Sequence, residues 1–179
     1  LEKNRMSESQ FTIHEMTAED VESATRMRLQ SWLDTYVNDE VGVTREWVEA
    51  RNEIQLSPEK VAARRAWLDN PNSMGWVAKD KSGMIIGVAN PYRDEAGIQR
   101  VGSLYTDKAW HGKGIGGALM QKIIDWADPH QPLELEVASY NERAIAFYRK
   151  YKFEEVVGSK HTVHDVIPVI TMIRKGDKQ

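Results

Sequence analysis

The sequence contains no cysteine. That removes disulfide frameworks, thiolate metal sites and cysteine nucleophiles in one step, and it fits a reducing, cytoplasmic setting in which any catalysis uses oxygen and nitrogen groups. Long hydrophobic runs are missing too. No stretch approaches the roughly 20 apolar residues of a membrane span, and the charged start Leu1-Glu2-Lys3-Asn4-Arg5-Met6-Ser7 is not followed by an apolar export segment. Neither sign of charge dominates. With 24 Lys+Arg against 27 Asp+Glu the formal net charge is −3, so nothing electrostatic points to nucleic acid or an anionic membrane as partner. Internal repeats and low-complexity segments are absent as well.

What is present suffices for one domain. A chain of 179 residues, 41% of them hydrophobic, buries about 70% of its unfolded surface without a structural metal. The expected domain is 6–179, with residues 1–5 a remnant or extension ahead of Met6. Phe11-Thr12-Ile13-His14 alternates as a strand, and Thr17-Ala18-Glu19-Asp20 caps a helix starting near Thr17. Val21, Ala24, Met27, Arg28, Leu29, Trp32, Leu33 and Tyr36 form one stripe of that helix, which ends near Val37. From Thr44 to Leu68 the helical pattern breaks at Ser57-Pro58, a cap followed by proline at the first helical position, so two short helices are expected. Extended periodicity follows, with Met74 to Lys79 and Met84 to Asn90 joined by the turn Asp80-Lys81-Ser82-Gly83, and a further strand from Ile98 to Thr106.

Next comes Trp110-His111-Gly112-Lys113-Gly114-Ile115-Gly116-Gly117, running into a helix with Ile115, Leu119, Ile123, Trp126 and Ala127 on one stripe. Leu133 to Val137 reads as a strand, Asn141 to Tyr151 as a helix, and Glu154 to Val157 and Val166 to Ile173 as final strands, with His161-His164-Asp165 in a loop before the last. Strands and helices in this order predict a mixed α/β fold: one twisted sheet of about six or seven strands with helices on both faces.

A glycine loop entering a helix is suited to phosphate, because the first helical N–H groups are unpaired, the helix dipole is positive there, and glycine leaves the approach open. Gly112, Gly114 and Gly117 formally satisfy G-x-G-x-x-G, with Glu136 near the ribose-binding distance. A dinucleotide-dependent oxidoreductase is therefore one alternative. Against it, Asp107 to His111 intervene between strand and loop, and too little chain follows for the second half of such a sheet. No Gly-Lys-Ser/Thr ends the loop, which excludes a Walker A site.

Leu104-Tyr105-Thr106 followed by His111-Gly112-Lys113-Gly114-Ile115-Gly116-Gly117 resembles the acetyl-CoA motif of the GNAT acetyltransferase superfamily, with His111 where Arg or Gln is usual. Asn141-Glu142-Arg143-Ala144-Ile145-Ala146-Phe147-Tyr148-Arg149-Lys150-Tyr151-Lys152-Phe153 resembles the family's Asn-x-x-Ala-x-x-x-Tyr-x-x-x-Gly-Phe helix. Lys152 replaces glycine at a position where the helix ends left-handed, costing roughly 1 kcal/mol or more. The resemblance covers Val101 to Phe153. It implies a GNAT-like sheet and acetyl-CoA as co-substrate, with an acetyl group moved directly to a primary amine of a small molecule, polyamine or peptide. It also implies that backbone groups of Leu104, Tyr105 and Thr106 hold the pantetheine arm and that residues 111 to 117 cradle the phosphates.

By the same resemblance Tyr148 is the general acid toward the CoA sulfur, and Asn141 contacts the cofactor. On the residues alone, Tyr148 belongs to a core stripe with Ala144, Phe147 and Tyr151, and Asn141 is a helix N-cap with Ser139 and Glu142 as a rival pair. Lys150 either reaches the ribose phosphate or is a solvated lysine. Trp32 and Tyr36, one helical turn apart, line an acceptor pocket or pack in the core. The general base stays open among Glu134, Glu136, His161, His164, Asp165 and a water chain. A metal at the histidines is not expected, since no further ligand pattern accompanies them. Homodimerisation and a non-catalytic CoA-sensing role are the remaining alternatives.

Overall fold

The computed structural model describes residues 10–177, so residues 1–5 lie outside it. Eight strands form one sheet: β1 (Phe11–Glu15), β2 (Trp76–Asp80), β3 (Ile85–Arg93), β4 (Gln99–Thr106), β5 (Leu133–Ala138), β6 (Phe153–Glu155), β7 (His161–Val163) and β8 (Ile167–Arg174). Their order is β1-β2-β3-β4-β5-β8-β6, with β7 also on β8. Every pair is antiparallel except β4 with β5. The mixed, two-faced sheet is the expected one. Its strand count exceeds the expected six or seven because β7, expected as loop, pairs with β8 through a turn whose His164 (φ 50°) and Asp165 (φ 64°) are both left-handed. Aspartate tolerates that conformation, and consecutive left-handed residues suit the twist of a hairpin.

Helix α1 (Asp20–Thr35) begins three residues later than expected. Thr17 lies before it, and its N–H and hydroxyl both donate to Asp20 Oδ2 at 3.0 Å, so the aspartate reaches back and fixes the entry. Helices α2 (Arg45–Gln55) and α3 (Pro58–Trp67) divide at Ser57-Pro58, where Ser57 accepts from the Lys60 N–H at 3.3 Å. Helix α4 is Ile115–Trp126 and α5 is Glu142–Lys150.

The alternation along the strands sorts the two faces. Trp76, Ala78, Leu135 and Val137 turn toward the stripe Ile115, Leu119 and Ile123 of α4 and toward Tyr148 and Phe153. Val77, Ile85 and Val88 turn the other way, against Ala24 and Met27 of α1. Leu119 is fully buried, and truncating such a leucine to alanine costs about 2–5 kcal/mol. The site lies where β4 and β5 reach the end of their pairing, between these two faces.

Candidate active site

Parallel pairing between β4 and β5 is confined to Gln99 with Leu133 and Arg100 with Glu134. Beyond those rungs β4 stays bonded to β3 as far as Thr106, and β5 to β8 as far as Ala138, so the inner edges face each other across an open cleft. A bulge helps part them. Asn90 pairs with Ser103 and Pro91 with Val101, leaving Gly102 as the extra residue, and a Cβ there would come within 2.9 Å of both the Asn90 carbonyl and the Tyr92 ring. At the closed end the buried Gln99 amide donates to the Asp128 carbonyl at 3.2 Å and accepts from the Asp128 N–H at 2.7 Å.

From the open end of β4 the chain makes a short 3-10 turn, Lys108–Trp110, and enters the glycine loop. Gly112 (φ 78°) and Gly114 (φ 86°) are left-handed, and a Cβ at either would meet nothing within 4 Å. The space before the loop is therefore open, and a side chain at these positions would both strain the backbone and intrude on it. Gly114 caps α4. Ala118, bonded to the Gly114 carbonyl at 3.0 Å, is the first N–H with a partner along the helix, so those of Ile115, Gly116 and Gly117 face outward from a positive helix end. These features fit a pyrophosphate.

His111 ties the loop down. Arg143 donates to its Nδ1, which leaves the proton on Nε2 to be donated to the Thr106 carbonyl at 3.1 Å. Burial and the neighbouring Arg143 hold its pKa below the usual histidine value, so it is neutral at pH 7. Lys113 sits over the Trp110 ring at 4.4 Å.

On the α5 side, Asn141 is the N-cap, accepting from the Ala144 N–H at 3.1 Å, so it and not Ser139 caps this helix. Tyr148 is buried between Phe147 and Phe153, and its hydroxyl has no hydrogen-bond partner among the described residues. Burial, reinforced by Tyr105, raises its pKa, so it keeps its proton through neutral and mildly alkaline pH. Lys152 ends the helix at φ 65°, the left-handed conformation the glycine position demands. Lys150 is exposed on the last turn of α5.

Across the cleft, α1 presents Trp32 and Tyr36, ring centroids 4.4 Å apart. Trp32 Nε1 donates to the Tyr105 hydroxyl at 3.0 Å, the Tyr36 and Tyr105 hydroxyls hydrogen-bond at 3.2 Å, and Tyr140 donates to the Tyr36 carbonyl at 2.7 Å. Burial, then Tyr105, raises the Tyr36 pKa well above the phenol range. Leu104, by the strand alternation, packs against the α4 side of the core instead. A cavity of about 360 Å³ lies here, lined by Trp32, Tyr36, Tyr105, Glu136 and His164 among others.

The five candidate bases are not equivalent. Glu134 is held by Arg100 at 3.1 Å. His164 Nε2 already accepts from Arg51 at 2.9 Å, and burial together with Arg51 lowers its pKa. Asp165 is exposed in the hairpin turn. Glu136 lines the cavity and accepts from His161 Nε2 at 2.9 Å. Among the described residues no group of three His, Asp or Glu side chains converges as a metal site, and no helix is long and apolar enough to cross a membrane. Sequence reasoning left out Arg28, Arg51 and Arg64, which gather beside the aromatic wall. Arg28 had a signal: it is a charge within an otherwise apolar helical stripe.

Comparison with known proteins agrees with this geometry. Residues 42–153 match the family model described as acetyltransferase (GNAT) family. Among curated proteins no sequence matches the chain. Solved structures do. A GNAT superfamily phosphinothricin acetyltransferase from Sinorhizobium meliloti, in complex with AcCoA, superposes with a TM-score of 0.69 at 22% identity over 93% of this chain and 89% of its own. The PaiA N-acetyltransferase from Thermoplasma acidophilum, in complex with coenzyme A, gives 0.68 at 19% identity over 90% and 97%. The ribosomal-protein-S18-alanine N-acetyltransferase from Escherichia coli gives 0.62 at 18% over 91% and 92%. The chain belongs to the GNAT acetyltransferase family. It is an acyl-CoA-dependent N-acyltransferase whose donor is acetyl-CoA, and the dinucleotide alternative is set aside.

Proposed function

We propose that this enzyme moves acetyl from acetyl-CoA directly to a primary amine of a small molecule, with the donor lying in the cleft between β4 and β5. The observation that carries this reading is the coincidence of three features at one place: parted strands with free backbone groups, a helix start with free N–H groups, and a buried phenol without a partner. In this arrangement Leu104, Tyr105 and Thr106 offer main-chain groups to the pantetheine arm. His111, Gly112, Lys113, Gly114, Ile115, Gly116 and Gly117 form the pyrophosphate cradle, with Asn141 beside the arm and Lys150 reaching the ribose phosphate.

Bound acetyl-CoA supplies an activated thioester carbonyl. Glu136, directly or through one water, takes the proton an incoming ammonium must lose before its nitrogen can attack that carbon. Tyr148 delivers its phenolic proton to the sulfur as the C–S bond breaks, and it is reprotonated through solvent as the acylated nitrogen sheds its second proton to become the amide. Trp32 and Tyr36 wall the acceptor side. No covalent intermediate on the protein is needed.

The test is a thermal unfolding scan with acetyl-CoA, CoA, NAD and ATP in parallel, followed by kinetics of Tyr148→Phe. A ligand at about 100 times its dissociation constant stabilises the fold by roughly 2.7 kcal/mol, so the CoA species alone should raise the melting temperature. Tyr148→Phe should lower kcat by about 100-fold or more at unchanged acetyl-CoA affinity. Unchanged kcat with chemistry rate-limiting would remove the assigned acid.

A further inference from the structure

A second cavity, about 440 Å³, opens on the α1 face between α1, α3 and the β3–β4 pair. Its walls carry three cationic side chains, Arg28, Lys60 and Arg64, and no aspartate or glutamate. Among the described residues Arg28 makes no hydrogen bond or ion pair; burial lowers its pKa, and the described groups that favour its charge are the phenols of Tyr105 and Tyr36. Arg64 donates to the Gln55 carbonyl at 2.7 Å and to the Gln55 side chain, both neutral acceptors. Burial, then Arg28 and Arg51, pushes its pKa down to about 10.

No carboxylate is among the groups that act on the charge of Arg28 or Arg64, and three of the acidic residues on the neighbouring helices are taken up elsewhere. Asp20 pairs with Lys79 at 2.7 Å, Glu22 with Arg26 at 2.8 Å and Glu49 with Arg45 at 3.2 Å. Like charges gathered in a partly desolvated cavity destabilise a fold unless something of opposite charge arrives. The planar fork of arginine fits a carboxylate with two parallel hydrogen bonds. Tyr92 and Gly102 line both this cavity and the one that holds Glu136, so the two open onto the same stretch of β4. One of the two adjoining cavities thus carries a carboxylate and the other cations that have no carboxylate partner.

We infer that the second cavity is the carboxylate subsite of the acceptor: the amine acetylated here belongs to a small amino carboxylate whose anionic end seats on Arg28 and Arg64, with Lys60 at the mouth. This rests on the acyl-transfer reading above, and it narrows the acceptor. A polyamine would bring further positive charge to a wall of cations, whereas an amino carboxylate matches both ends.

The experiment is calorimetry on the full chain saturated with CoA. The probes are ω-amino acids from β-alanine to ε-aminocaproate, each beside its carboxamide and the diamine of the same carbon count, with aminoethylphosphonate as a further arm. At the best chain length the amino acid should bind at least about tenfold more tightly than its amide, as a charged hydrogen bond implies, and more tightly still than the diamine. Arg28→Gln should erase that preference and at the same time raise the melting temperature of the ligand-free protein, because it removes an uncompensated charge. Arg64→Gln, at the cavity wall on α3, should reduce the preference without depending on the α1 packing.

Equal binding of acid and amide, absence of binding at every length, or a preference that survives both substitutions would overturn the subsite. A lowered melting temperature in Arg28→Gln would mark this arginine as structural and overturn its role. Tighter binding of the phosphonate than of any carboxylate would overturn the carboxylate assignment. Failure of CoA itself to bind would instead strike the acyl-transfer reading, so the two failures are distinguishable.

Discussion

On the α4 side of the sheet the groups offered to a ligand are main-chain N–H groups of Ile115, Gly116 and Gly117, held in place by two left-handed glycines. On the α1 side they are side chains: Trp32, Tyr36 and Arg28 from one helix, Arg64 from another, Tyr105 and Glu136 from two strands, and His164 from a hairpin turn. A backbone cradle recognises what every donor molecule shares and tolerates substitution everywhere except at the glycines. A side-chain wall recognises what differs between acceptors and can be rebuilt residue by residue. On the proposed reading the domain keeps its cofactor chemistry in local geometry and its specificity in long-range contacts.

The sharpest way to break this division is Gly114→Val. The new side chain meets no protein atom, but it strains a left-handed position and occupies the open approach. Acetyl-CoA affinity should fall by about 100-fold or more in calorimetry while acceptor binding survives, at a folding cost of about 1–2 kcal/mol. Glu136→Gln works on the other face. It should lower kcat/KM by about tenfold or more and flatten the acidic limb of the pH profile, with acetyl-CoA affinity intact.

Asp20→Asn probes what anchors the side-chain wall. Burial alone would raise the Asp20 pKa, but the hydrogen bond from Lys79 and those from Thr17 outweigh it and leave it lowered. A lowered carboxyl contributes stability above the unfolded-state value near 4, and that stability is lost as pH falls through the folded value. The variant should lose about 1–3 kcal/mol at neutral pH and less at acid pH, read by thermal unfolding. Loosened α1 should raise KM for the acceptor more than for acetyl-CoA.

The smallest effect belongs to His111→Gln. With its pKa held below 6.5, His111 stabilises the fold fully above that value and less as pH falls below it. The glutamine variant should narrow the difference in melting temperature between neutral pH and about pH 5. An unchanged difference would disconnect the Arg143–His111–Thr106 contact from loop stability.

The two faces also differ in how far they can be read without coordinates. The glycine loop is legible because its spacing is local and each glycine answers a backbone demand, and the turn at Lys152 is legible for the same reason. The stripes of α1 and α4 are legible because helical periodicity survives in the letters. The arginine cluster is not, since Arg28 and Arg64 lie 36 positions apart and meet only when α3 folds onto α1. Strand β7 escaped notice because three exposed or half-exposed residues carry little alternation and its turn lacks the usual Asn-Gly. The preference for Glu136 over its four rivals comes from the fold: Glu136 lines the aromatic-walled cavity, whereas Glu134 is held by Arg100, His164 by Arg51, and Asp165 lies out in the hairpin turn.

The two rungs and the Gln99 clamp at the closed end of the cleft carry a mechanical consequence. Within the sheet, strands β1 to β4 and strands β5 to β8 are hydrogen-bonded to each other only along that short spine, so a change of aperture breaks no further strand pairing. Main-chain amides along the inner margins should exchange with solvent readily in the empty protein and slowly once the gap is filled. Ligand affinity and internal mobility are then two readings of one hinge.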